Sequence, residues 1–281
     1  GVIIMNEIKE VRMASSSNRI DWIDIAKGIA IILEIIGHTV KFGSGIRNFI
    51  FSFHMPLFFI LSGYTFHVAE SKEYLSRHFH NNLKHLLLPV LVIVFLKVLF
   101  SWLFQSDNSF NECARLVIHY ADALFWSSGV RVKSHPGLGA PWFLVSLFGA
   151  KLLLDIIRLI FKSEWNYIVP AVALIGISLS LKGKWLPLNF DVTMGVILFL
   201  HMGILWKRFD YLLSRYRGQL FCIALIIWAT CLYFGMYIEL ATRKYPYLFL
   251  SIIEGIFGTI IVCNICYALS IQESSHIFLK S

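Results

Sequence analysis

The chain has 281 residues, of which 57% are hydrophobic and only 15% charged, and its mean hydropathy is +0.70. That balance exceeds the apolar share of a soluble domain and makes a bilayer the natural solvent. The surplus of 25 Lys and Arg over 17 Asp and Glu is scattered between apolar runs, with no basic stretch interleaved with aromatics, which argues against nucleic acid as a partner and for membrane lipids.

Residues 1–18 end in Ala14-Ser15-Ser16-Ser17-Asn18 and lack the basic start, apolar core and cleavage site of a secretory signal. They read as a cytoplasmic N-terminal segment, and 19–281 as one transmembrane domain. The pattern beyond them predicts an all-α, polytopic transmembrane helix bundle with about eight spans: Trp22–Val40, Phe49–Phe66, Leu86–Phe104, Trp142–Phe161, Tyr167–Leu181, Val192–Trp206, Phe221–Tyr237 and Leu248–Ala268. The fifth and sixth are short and could instead form one broken element around Pro187. The long connection from Gln105 to Ala140 holds a stretch of helical periodicity, Cys113–Trp126, expected to lie along the interface. Lys and Arg are more numerous in the connections on the N-terminal side, which orients the N-terminus inward. Cys263-x-x-Cys266 falls within a span, has no His or second cysteine pair beside it, and reads as buried thiols; no metal is implied.

The first span is the unusual one. An ionisable group at the centre of a membrane helix costs about 2.5–3.5 kcal/mol on insertion scales, and this segment carries Asp24, Lys27, Glu34 and His38. At 100° per residue all four fall within an arc of about 80°. Asp24 is spaced to pair with Lys27, and Glu34 to hydrogen-bond His38. A carboxylate behind an imidazole fixes its tautomer and supports its work as a general base. Asp24 and Lys27 also suit a structural ion pair near the inner end. The second span carries His54, which returns to a depth near His38, then Pro56, whose missing N–H frees a carbonyl, and Ser62-Gly63, a close-packing point.

These residues resemble the acyltransferase family 3 membrane proteins, particularly the sugar O-acetylase branch. The likeness begins at Arg19-Ile20-Asp21-Trp22 and runs to Gly37-His38, with Lys27 and His38 holding the family's basic residue, ten intervening residues and His. It continues in Phe53-His54-Met55-Pro56-Leu57-Phe58-Phe59, and is echoed in Arg77 through Lys84 to Leu88-Pro89 and in Pro141-Trp142-Phe143-Leu144. Glu34 stands where the family usually has an aliphatic residue. Family members have about ten spans, so the resemblance implies that the last spans lie beyond Ser281.

The resemblance implies transfer of an acetyl or other acyl group from acyl-CoA, acetyl-CoA in the usual case, to a hydroxyl of a cell-surface glycan or lipid-linked saccharide, in a bacterial cytoplasmic membrane. His38, Glu34, Lys27 and His54 are then the catalytic candidates. His38 acts either as a base or as an acylated intermediate. Lys27, Arg77 and Lys84 are candidates for the donor's phosphates, with Lys72, Lys207 and Arg208 also at inner span ends. Asp24, Ser62, Gly63 and Trp142 are packing residues of the site. The rival reading is a transporter or proton channel that uses the same charged face together with His201 and Glu254.

Overall fold

The structure is a computed structural model that describes residues 20–41, 44–104 and 109–278. The segment 1–18 read as cytoplasmic lies outside the described residues. Helices carry the fold: α1 (Asp21–Thr39), α2 (Gly45–Phe51), α3 (His54–Tyr64), α4 (Lys72–Asn82), α5 (Leu88–Leu103), α6 (Phe110–Trp126), α7 (Trp142–Phe161), α8 (Trp165–Leu181), α9 (Phe190–Arg208), α10 (Asp210–Arg215), α11 (Arg217–Tyr233) and α12 (Leu248–Phe278). Four stretches are both long and apolar enough to cross a bilayer: Gly45–Tyr64, Lys72–Leu103, Pro187–Arg208 and Leu248–Gln272. α8 and α11 are apolar but shorter, while α1 and α7 interrupt their apolar surfaces with Lys27 and Glu34, and with Lys151 and Asp155. The protein is an integral membrane helix bundle.

Three segments depart from their expected bounds. The second is not one span-long helix but two, parted at Ser52–Phe53. Pro56 cannot donate to the carbonyl of Ser52, and the Ser52 hydroxyl bonds instead to Phe49 O at 2.8 Å and accepts Trp228 Nε1 at 3.0 Å. The third begins earlier: α4 runs into α5 through a π-turn at Leu83–Leu87, making one helix from Lys72 to Leu103. That wider turn lets the backbone pass Pro89 without a break. The fifth and sixth segments are separate helices, α8 and α9. The chain reverses between them at Leu188 and Asn189, both left-handed with φ of 54° and 57°. The helix expected over Cys113–Trp126 is α6, which starts at Phe110 because Ser109 Oγ accepts the Glu112 N–H at 3.2 Å.

Alternating helix directions give the bundle two ends. At the near end, Trp22 at the start of α1 meets Tyr64 edge-on at 5.3 Å and stacks on Trp206 at 6.5 Å. The far end gathers the end of α1, the α2–α3 break, the start of α7 and the loops before α7 and α12. Between the ends, one apolar cluster joins α3, α7, α8 and α9 through Phe59, Leu154, Ala173 and Phe199, and another joins α1, α3 and α12 through Ala26, Leu57 and Cys266.

The tightest seam is the crossing of α3 and α9. A Cβ on Gly63 would lie 2.0 Å from Leu200 O, and one on Gly203 would lie 2.0 Å from Ile60 O. Backbone meets backbone there, so neither helix can yield by moving a side chain. Gly203→Ala is expected to force the pair apart at a cost of about 3 kcal/mol or more. The readout is a lowered thermal midpoint in detergent, with loss of the monodisperse peak on size exclusion; an unchanged midpoint would refute the seam.

Candidate active site

The far end of α1 carries the chemistry. His38 Nε2 lies 2.9 Å from Glu34 Oε1, one helical turn back, as the spacing requires. The other carboxylate oxygen, Oε2, lies 2.7 Å from Nε2 of His54. Glu34 therefore bridges two imidazoles of opposite setting: the side chain of His38 is 58% exposed and that of His54 1%. The ring of His54 is fixed on its second nitrogen as well, because Nδ1 donates to Ile50 O at 3.1 Å. This is possible because His54 opens α3 immediately after the break. A continuous helix through Ser52–Phe53 would carry its ring elsewhere.

Phe51 is the wedge of the site. Its ring lies 4.5 Å from that of His54 and 6.1 Å from that of His38. It fits because Gly37 has no side chain; a Cβ there would lie 2.8 Å from Phe51 Cε2. The guanidinium of Arg47 covers the ring at 3.8 Å and donates to Gly37 O at 2.9 Å and to Glu239 Oε1 at 2.8 Å. Thr242 Oγ1 donates to the other oxygen of Glu239 at 2.7 Å. Glu34, His38, Arg47, His54, Trp142 and Glu239 all line one cavity of about 400 Å³.

A buried polar knot supports the cavity's outer wall. Arg243 pairs with Asp191 through Nε to Oδ2 at 2.9 Å and Nη2 to Oδ1 at 3.2 Å, and also donates to Asn189 Oδ1, to Ser128 Oγ at 3.2 Å and to Ala241 O at 3.1 Å. Its guanidinium lies 3.5 Å over the Trp185 ring. The left-handed φ of 57° at Arg243 turns the chain back so that this fork can reach Asp191. Ser128 and Ala241 flank or line the cavity, so the knot fixes two of its walls. Tyr245 beside it is buried, and burial pushes its phenol up although Arg243 pulls the other way.

A second polar cavity, of about 580 Å³, lies at the near end and is lined by His67, Tyr74, His78, Arg158, Lys207 and Arg208 among others. Asp155 of α7 builds its wall, accepting the Ala69 N–H at 2.6 Å and His78 Nδ1–H at 3.0 Å. Lys207 Nζ donates to His67 Nε2 at 3.2 Å.

The fate of the sequence candidates is uneven. Glu34, His38, His54 and Trp142 come together in the far cavity. Lys27 lies one side-chain reach from Lys151 of α7, close enough for the two charges to repel, and Asp24 faces outward on α1. Gly63 is the packing point described above, with Ser62 half-buried beside it. Arg77 and Lys84 are exposed on the outside of the Lys72–Leu103 helix and line neither polar cavity; Tyr74 and His78 of the same helix face inward instead. His201 and Glu254 are buried outside the linings of both polar cavities. Sequence reading missed Arg47, Glu239 and the Arg243–Asp191 knot as parts of the site.

A family model described as an acyltransferase domain matches residues 20–278. No curated protein and no solved structure matches the chain. The site's geometry carries its own test. Arg243→Ala would strand the fully buried carboxylate of Asp191, at an expected cost of about 3–5 kcal/mol. Thermal unfolding in detergent should reveal it, and Arg243→Lys should recover only part of the loss because an ammonium cannot supply the fork.

Proposed function

Because the chain belongs to acyltransferase family 3, we propose that this membrane acyltransferase moves an acyl group, acetyl in the simplest case, from acyl-CoA to a hydroxyl of a cell-surface glycan or lipid-linked saccharide. The observation that carries this reading is the His38–Glu34 pair in an open cavity. With Nε2 turned to Glu34, Nδ1 of His38 is the nitrogen able to take a proton from an acceptor hydroxyl. The hydroxyl oxygen then attacks the thioester carbonyl, and Arg47 on the same wall supplies positive charge near the developing oxyanion.

The near-end cavity supports a donor site. His67, His78, Arg158, Lys207 and Arg208 surround it with cationic and hydrogen-bonding groups suited to phosphates, while Tyr74 and Trp165 offer rings for a base. Lys207 and Arg208 thus fit the donor's phosphates better than Arg77 and Lys84. Lys27 and His38 are eleven residues apart, about 16 Å along α1, a path for the donor's arm from one cavity toward the other. With the N-terminus on the cytoplasmic side of a bacterial inner membrane, the donor enters from the cytoplasm and the acceptor meets His38 at the outer face. The family match gives no support to the transporter alternative.

The test is transfer of label from radiolabelled acetyl-CoA to the envelope glycan fraction in membranes holding the protein. His38→Ala should lower the rate by roughly 10²–10⁴-fold; equal labelling in both would end the catalytic assignment. A paired Lys207→Ala, Arg208→Ala variant should raise the KM for acetyl-CoA with little change in kcat. A lowered kcat at constant KM would move the donor site elsewhere.

A further inference from the structure

The contact between His54 and Glu34 cannot exist without a proton. Nδ1 of His54 faces the carbonyl of Ile50 at 3.1 Å, and a carbonyl only accepts, so Nδ1 carries a hydrogen. Nε2 then lies 2.7 Å from Glu34 Oε2, a distance at which two lone pairs would repel. One proton is held between them. Glu34 Oε1 already faces His38 Nε2, so a carboxylate here accepts an N–H on each oxygen. An imidazolium at His54 has an acceptor on each nitrogen and leaves no buried donor unpaired. The other charged groups facing the contact are His38 from α1, Arg47 across Phe51 from α2, and Glu239 from the loop before α12, itself bound by Arg47.

Resting on the acyltransferase reading above, we infer that His54 is a positioning residue: a buried imidazolium that pairs with Glu34, keeps that carboxylate ionised, and so leaves His38 as the neutral base. Glu34 has its counter-charge in His54 and makes no demand that His38 be protonated. The reaction balances without moving the His54 proton. The acceptor oxygen forms a bond to the thioester carbonyl carbon as its proton passes to His38 Nδ1. The carbon–sulfur bond breaks with its electron pair on sulfur. The departing thiolate takes the proton back from His38, releasing ester and free thiol. With both ring nitrogens of His54 occupied, it serves only by fixing Glu34, which fixes His38.

The first test needs no acceptor. The full chain, labelled with ¹⁵N-histidine and held in lipid nanodiscs at neutral pH, should show one imidazole protonated on both nitrogens, assigned to His54 by its loss in His54→Gln. Glu34→Gln should convert that ring to a single N–H form. A wild-type His54 carrying one N–H overturns the inference. The second test uses radiolabelled acetyl-CoA and the envelope glycan fraction. Glu34→Gln and His54→Gln should each lower kcat by about 10- to 100-fold with the KM for acetyl-CoA unchanged, and the combined variant should be no slower than the slower single one. Losses that multiply would mean that His54 acts independently, and overturn the inference while leaving the acyltransferase reading intact. Wild-type membranes that transfer no label would instead defeat that reading, and the ¹⁵N spectrum would still decide the state of His54.

Discussion

A carboxylate in a membrane helix must find its counter-charge and its hydrogen-bond donors within the protein. Much of the far end of this molecule is organised around meeting that demand for Glu34. His38 comes from the same helix, one turn on. His54 has to come from another element, and its approach requires α3 to begin afresh after Ser52–Phe53. The break in turn depends on Pro56, on the Ser52 hydroxyl held by Trp228, and on α12, whose Gly255 and Gly258 let Pro56 and Phe53 lie against it at distances no side chain would allow. A local electrostatic need thus reaches through three helices.

The two polar cavities divide the work of a group transfer. The near one is ringed by cationic groups, while the far one sets bases, a carboxylate pair and one guanidinium around an open space. α1 and α7 pass both, and these are the two helices that carry charge along their length. Their polar residues would be a liability in a helix facing lipid. On helices that face the interior between two sites they cost less, because each charge meets a partner or a cavity.

The sequence revealed what lies within a few residues along one helix. The spacing of Lys27, Glu34 and His38 predicted a shared face and the Glu34–His38 bond, and both follow from helical geometry alone. The meeting of His54 with the same site could be anticipated from span depth, but its partner could not, since Glu34 was expected to serve His38 only. Contacts made by tertiary packing were invisible. Arg47 and Glu239 are 192 residues apart, and Arg243 and Asp191 are 52 apart, so no periodicity links them. Arg77 and Lys84 failed for a related reason. The face a helix turns inward is set by what packs on it, and Asp155 of α7 selects His78 in their place.

The crossing of α3 and α9 has a bearing on traffic. With glycines on both helices and main chain against main chain, that seam has no gap through which a hydrocarbon tail or a sugar could slip sideways. A molecule reaching the far cavity from the bilayer plane must pass another border. The apolar recess between the Lys72–Leu103 helix and α7, about 430 Å³ and lined by Leu87, Leu91, Val145 and Leu152, is a border of the opposite character, held by side chains that can swing aside. The bundle is therefore welded along one seam and hinged along another.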